Sequence, residues 1–305
     1  MADIKLFQTT GNTVQEIEGT SVALEKSLQT LIEANLETFL GVRFLATEYS
    51  TGPKHGGRVD TLGIDENGCP VIIEYKRTLN ENVINQGLYY LDWLLDHKAE
   101  FELLVLKQLG KEKAEDIEWS GPRLLCIAGE FTKYDEHAVE QINRNIELIR
   151  YRRYGKELLL LELVNAHKAD SAIEQKPSAP AAKGGKVYKG FVDYLAQADS
   201  ELADRFEALK AFILALGDDV QASQLKYYVA FKRIKNFACV EVHPQPRTLL
   251  VYLKVDPNSV TLEKGFSRDV SDIGHFGTGD LELTLRNPED LEKAKALILK
   301  SYEVS

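Results

Sequence analysis

GGRVDTLGIDENGCPVIIEYKR, residues 56–77, carries the reading of this chain. Arg58–Asp65 and Pro70–Arg77 are each rich in β-branched or apolar residues and read as strands. Glu66-Asn67-Gly68 joins them, and Asn-Gly is a strong hairpin signal. Side chains alternate along a strand, so Glu74 and Lys76 share a face, about 7 Å apart at roughly 3.3 Å per residue. They end an apolar run that reads as buried, where lone charges are costly unless paired or bound to metal. The hairpin sets Asp60 on the neighbouring strand. Asp60 and Glu74 can then converge on one divalent cation. One or two carboxylates, with water and substrate phosphate filling the remaining positions, is the environment Mg²⁺ favours. Lys76 can position the attacking water or balance phosphate charge. The competing reading is a Glu–Lys pair that merely faces solvent.

Outward from this hairpin, Leu24, Leu28, Leu31, Ile32, Leu36 and Phe39 recur at helical spacing. They predict a helix from Ser21 to Leu40, ended by Gly41. A strand over Val42–Tyr49 precedes the hairpin. Helices are expected over Glu81–His97 and Glu100–Glu115, then a strand at Arg123–Ala128 and a helix at Asp135–Ile149. Strands at Arg150–Tyr154 and Leu158–Val164 close this part. The order α-β-β-β-α-(α)-β-α-β-β implies an α/β fold, a mixed sheet flanked by helices. His167–Lys186 is rich in Ala, Lys, Ser, Pro and Gly and lacks aromatics, the composition of a linker. The expected domains are therefore 1–166 and a smaller α+β domain, 187–305. In the latter, helices at Val187–Ala198 and Glu201–Leu216 precede strands at Leu225–Phe231, Phe237–His243, Leu249–Val255 and Leu281–Leu285. A helix starts at Pro288.

Two further features accompany the hairpin. Gln86 and Tyr90 are i and i+4 on the helix after it and share a face. In the first helix, at about 100° per residue, Glu25 falls near the middle of the apolar arc. Glu33 lies at the border of that arc and Glu37 outside it. Glu25 is preferred over Glu33 as the helical acid of the site. An exposed first-turn acid favoured by the helix dipole is the alternative for Glu25.

A helical Glu, then GGRVDTLGIDENG, then VIIEYKR, then Gln-x-x-x-Tyr resembles the PD-(D/E)XK nuclease superfamily, in its NucS-like and RecB-like branch. The resemblance covers roughly residues 20–165, with Val59-Asp60 in place of the Pro-Asp of the family name. It implies a restriction-endonuclease-like fold and hydrolysis of DNA phosphodiester bonds with Mg²⁺ or Mn²⁺. By the same resemblance Asp60 and Glu74 are metal ligands, Lys76 is the catalytic lysine, and Glu25, Gln86 and Tyr90 complete the active site. A non-catalytic binding module that keeps the nuclease fold is the alternative. The second part resembles an uncharacterised C-terminal domain labelled a predicted transport protein, a role that needs a membrane segment.

With 47 acidic against 37 basic residues the net charge is −10, which excludes a bulk nucleic-acid binder of the histone type. A local basic groove remains compatible with it. Cys69, Cys126 and Cys239 lie far apart, so no disulfide framework or CxxC metal pair is expected. No segment nears the roughly 18 apolar residues of a membrane span, and the first residues carry no apolar signal core. A cytoplasmic protein is expected, with DNA as substrate and a protein partner for the second domain conceivable. Lys226-Tyr227-Tyr228 and Phe231 to Phe237 interleave bases with aromatics, which reads as core or as a nucleic-acid surface. Arg144, Arg150, Arg152, Arg153 and Lys156 form a second basic cluster. Gly274–Asp280 reads as a tight turn rather than a phosphate loop.

Overall fold

The computed structural model describes residues 4–20, 26–75, 83–167 and 190–305. It divides into two compact units, Met1–Asp170 and Ser171–Ser305. Of the expected linker only His167 is among the described residues, and it ends a strand.

The first unit opens with a hairpin of β1 (Leu6–Thr10) and β2 (Thr13–Ile17), a sheet of its own. Its loop is Gly11-Asn12, with Gly11 at φ 60, a turn signal left unread in the sequence. Next come β3 (Gly19–Thr20), α1 (Lys26–Ala34), α2 (Leu36–Leu40), β4 (Val42–Ser50) and the short α3 (Gly52–His55). The single helix expected over residues 21–40 is interrupted at Asn35, whose φ of −129 leaves the helical region. Within α1 Leu28 and Ile32 are buried while Leu31 stands 39% exposed, and after the break Leu36 and Leu40 of α2 are buried. Gly41 ends α2 at φ 64, its N–H donating to the Glu37 carbonyl.

The deciding hairpin forms: β5 is Arg58–Asp65 and β6 is Pro70–Tyr75, while Lys76 and Arg77, the end of the expected second strand, lie outside the described residues. Asp65 organises its turn, accepting the N–H groups of Asn67 and Cys69 at 2.9 Å, while Gly68 takes φ 79. Then follow α4 (Val83–Asp96), α5 (Lys98–Leu109), α6 (Lys111–Glu115), β7 (Arg123–Ala128), α7 (Lys133–Glu140), β8 (Asn145–Tyr154) and β9 (Leu158–His167). Seven strands form one mixed sheet in the order β3-β8-β7-β6-β5-β4, with β9 also paired to β8. β4, β5 and β6 are antiparallel, and β6, β7 and β8 run parallel. The α4–α6 stretch and α7 are the crossovers that parallel pairing requires. The helix expected over 135–149 is a correction. It starts at a capping box of Thr132 and Asp135 and stops at Glu140. Asn145–Ile149 is strand, because Ile146 and Leu148 fill the core beside β7.

The second unit comprises α8 (Phe191–Gln197), α9 (Ser200–Leu214), β10 (Gln221–Gln224), β11 (Val229–Lys232), β12 (Asn236–His243), β13 (Thr248–Leu253), β14 (Ser267–Asp269), β15 (Leu281–Leu285) and α10 (Pro288–Glu303). Its sheet is antiparallel throughout, ordered β10-β11-β12-β13-β15-β14. The expected strand Leu225–Phe231 begins only at Val229. Leu225 N–H donates to Tyr228 O, so these residues are the turn between β10 and β11. Phe206, Leu209 and Ile213 of α9, and Ala294 and Ile298 of α10, bury against Val240, Val251 and Leu283 of the sheet. Each fully buried side chain of leucine size contributes about 1.5–3 kcal/mol.

Candidate active site

β5 and β6 pair from Thr61 opposite Ile73 to Ile64 opposite Pro70. Asp60 and Glu74 are the next residues on each strand, where side chains replace the ladder. Asp60 N–H donates to Glu74 Oε1 at 3.1 Å, and Tyr75 N–H donates to Asp60 Oδ2 at 3.0 Å. The two carboxylates are thus bound to each other's strand. Glu74 is only 1% exposed, a depth that demands such hydrogen bonds. Asp60 is partly exposed.

Tyr90 is buried and its hydroxyl accepts the Arg58 N–H at 3.1 Å, pinning the start of β5 two residues before Asp60. Gln86, exposed one turn earlier, donates to the same hydroxyl at 3.4 Å. Gly57 leaves room for the ring: a Cβ there would stand 2.5 Å from Tyr90 Cε1. Tyr90 is therefore a positioning residue, and Gln86 supports it.

Of the candidate helical acids Glu25 and Glu33, Glu33 is described and reaches β5. Its Oε1 accepts from Thr61 Oγ1 at 2.6 Å and from Gln29 Nε2 at 3.1 Å. Gln29 is buried, one turn before Glu33 on the same helix. Glu25 and Lys76 lie outside the described residues. Burial raises the pKa of Tyr75, and the charges of Glu33, Asp60 and Glu74 push it the same way. Three carboxylates thus act on one buried phenol, opposed by the Thr61 side chain, which lowers its pKa. Among those residues no three His, Cys, Asp or Glu side chains are grouped to hold a metal ion. The oxygen donors in place are the pair Asp60 and Glu74.

Over 307 residues the chain is 30% identical to a Haemophilus influenzae protein described as uncharacterized, spanning 98% of this chain and 100% of that one. The chain belongs to that protein's family. Residues 192–305 also match a domain of unknown function, DUF5655. No solved structure matches the chain.

That matched region holds the basic-aromatic stretch, and half of it is core. Tyr228, Phe231, Lys232 and Phe237 are buried. Arg233 is bound to Asp219 at 2.7 Å and lies over Tyr302. Tyr227 stacks on Phe276 at 4.4 Å. The loop Gly274–Asp280 folds onto the sheet, where Thr278 N–H donates to Cys239 Sγ and His275 stacks on Tyr252 at 4.2 Å. In the first unit Arg150 is bound to Glu162 and Arg152 to Glu130. Two of the five members of that basic cluster are thereby paired. Among the described residues no helix is long and apolar enough to cross a membrane.

Proposed function

We propose that the first unit is a metal-dependent nuclease that hydrolyses DNA phosphodiester bonds at the Asp60–Glu74 end of the sheet. The observation that carries this reading is the reciprocal tie between the two carboxylates across β5 and β6. It presents two hard oxygen donors close together on strands that the core holds rigid, a donor set suited to Mg²⁺ or Mn²⁺. Such an ion, when bound, supplies Lewis-acid stabilisation of phosphate charge. The chain's own contribution is position. Tyr90 fixes the backbone of Arg58, Glu33 with Thr61 braces β5, and the resemblance assigns the orientation of the attacking water to Lys76.

The runner-up is a binding module that keeps the fold without catalysis. The acidic net charge of −10 favours it. Incubation of the full chain with supercoiled and linear DNA in Mg²⁺ or Mn²⁺, with an EDTA control, separates the two. Cleavage that EDTA stops supports the nuclease. Asp60→Asn and Glu74→Gln should lose cleavage by at least about a hundredfold, as loss of a stabilising electrostatic group does. Both keep a side-chain oxygen for the backbone N–H they accept, so folding should survive. Cleavage by either variant at the wild-type rate would remove the assignment.

A further inference from the structure

Beside the carboxylate pair lies a cavity of about 380 Å³, lined by Ser50, Gly52, Pro53, Gly56, Gly57 and Arg58. Nothing in the carboxylate chemistry uses it. Its wall is largely bare backbone: Gly52 at φ 78 and Gly56 at φ 61 have open space where a Cβ would stand. Among the described lining residues the cation is Arg58, whose side chain is two-thirds exposed. The ion pair Arg58 makes, with Glu48, is loose at 3.8 Å, longer than a hydrogen bond. Its backbone, by contrast, is fixed by Tyr90. Two residues of strand separate it from Asp60, at most about 7 Å.

We infer that this cavity seats a backbone phosphate of the DNA strand, next to the one attacked, gripped by the Arg58 guanidinium. The inference rests on the nuclease reading of Asp60 and Glu74. A planar guanidinium presents paired donors that match two phosphate oxygens, and a glycine wall admits the strand closely. Glu48 is the anion that holds this fork in the free chain, and the phosphate displaces it.

The test uses the full chain carrying Asp60→Asn, so that DNA is bound without being cut. A short labelled duplex is titrated at several salt concentrations. Adding Arg58→Ala should weaken binding several-fold and reduce the log–log salt slope by about 0.9, one phosphate contact. Arg58→Lys should keep that slope, because its charge remains, while binding less tightly than arginine. Glu48→Gln should tighten binding, since it frees the fork and removes a like charge. If Arg58→Ala leaves affinity and slope unchanged while the Asp60→Asn chain binds DNA, the cavity has no such role. If that chain binds no DNA and the wild type cuts none, the nuclease reading itself falls, and the inference with it.

Discussion

Tyr90 connects helix α4 to strand β5 through one hydroxyl, fixing the backbone two residues before Asp60. Tyr90→Phe keeps the ring and leaves the part-buried Arg58 N–H without its acceptor. The expected cost is about 1–3 kcal/mol, read from urea unfolding, together with reduced cleavage. Gly57→Ala should act in the same direction, because its methyl would meet the ring 2.5 Å away. Equal stability of both variants and wild type would show that the contact carries no weight. Buried phenols set a second expectation. Burial raises the pKa of Tyr75, and in Tyr252 burial is joined by the charges of Glu241 and Glu282. The folded chain keeps protons that the unfolded chain releases near the ordinary value of 10.0. Their contribution is fully present below that pH and is lost as pH rises toward the raised folded values. Urea midpoints should fall beyond about pH 10 and fall less steeply in Tyr75→Phe/Tyr252→Phe. An identical alkaline decline in both proteins would refute it.

Elements in the first unit are joined by a buried ionic triad at the turn end of the hairpin. Arg123 of β7 makes two bonds of 2.8 Å to Glu147 of β8 and one of 2.8 Å to Asp65 of β5. Burial disfavours its charge, but the two carboxylates together outweigh that, and its pKa is raised. Asp65 is also the residue that shapes the Asn67-Gly68 turn, so the triad ties hairpin geometry to the parallel strands. Arg123→Met should cost about 3–5 kcal/mol, since it strands two buried carboxylates. Replacing Arg123 and Glu147 together by apolar residues of similar size should cost less than that single change, because only Asp65 then lacks its cation and it keeps the turn N–H groups. Chemical denaturation of the two variants decides between this account and one in which the arginine merely fills space.

At the scale of the molecule, the two units have separate cores. A chain of residues 1–170 should fold alone, because its end lies beyond His167, which pairs with Ile146. A chain of residues 190–305 should do the same, keeping Gly190 and the bond from Phe191 N–H to Lys226 O. Each should unfold cooperatively by circular dichroism. A molten or insoluble 1–170 would mean that the first core depends on the second unit. The first fragment should also retain any metal-dependent cleavage.

Much of this chain was determined by local pattern. The alternation and turn chemistry of residues 58–75 specify a hairpin whatever surrounds it, and β5 and β7 span the residues that their apolar runs mark. Those same local rules place Asp60 and Glu74 on neighbouring strands. Tertiary structure decided what depends on neighbours distant in sequence. Asn145–Ile149 carries apolar residues that suit helix or strand alike, and the parallel partner β7 made it strand. The alternation of bases and aromatics around Phe231 and Lys232 favours core without deciding it, and a sheet with helices on it buried both. Glu33 could be told from its helical neighbours only once Asn35 interrupted the helix and Thr61 came within 2.6 Å. Periodicity reports which residues share a face, because it depends on backbone geometry alone. Which partner meets that face is set by chain packing, which no local period encodes.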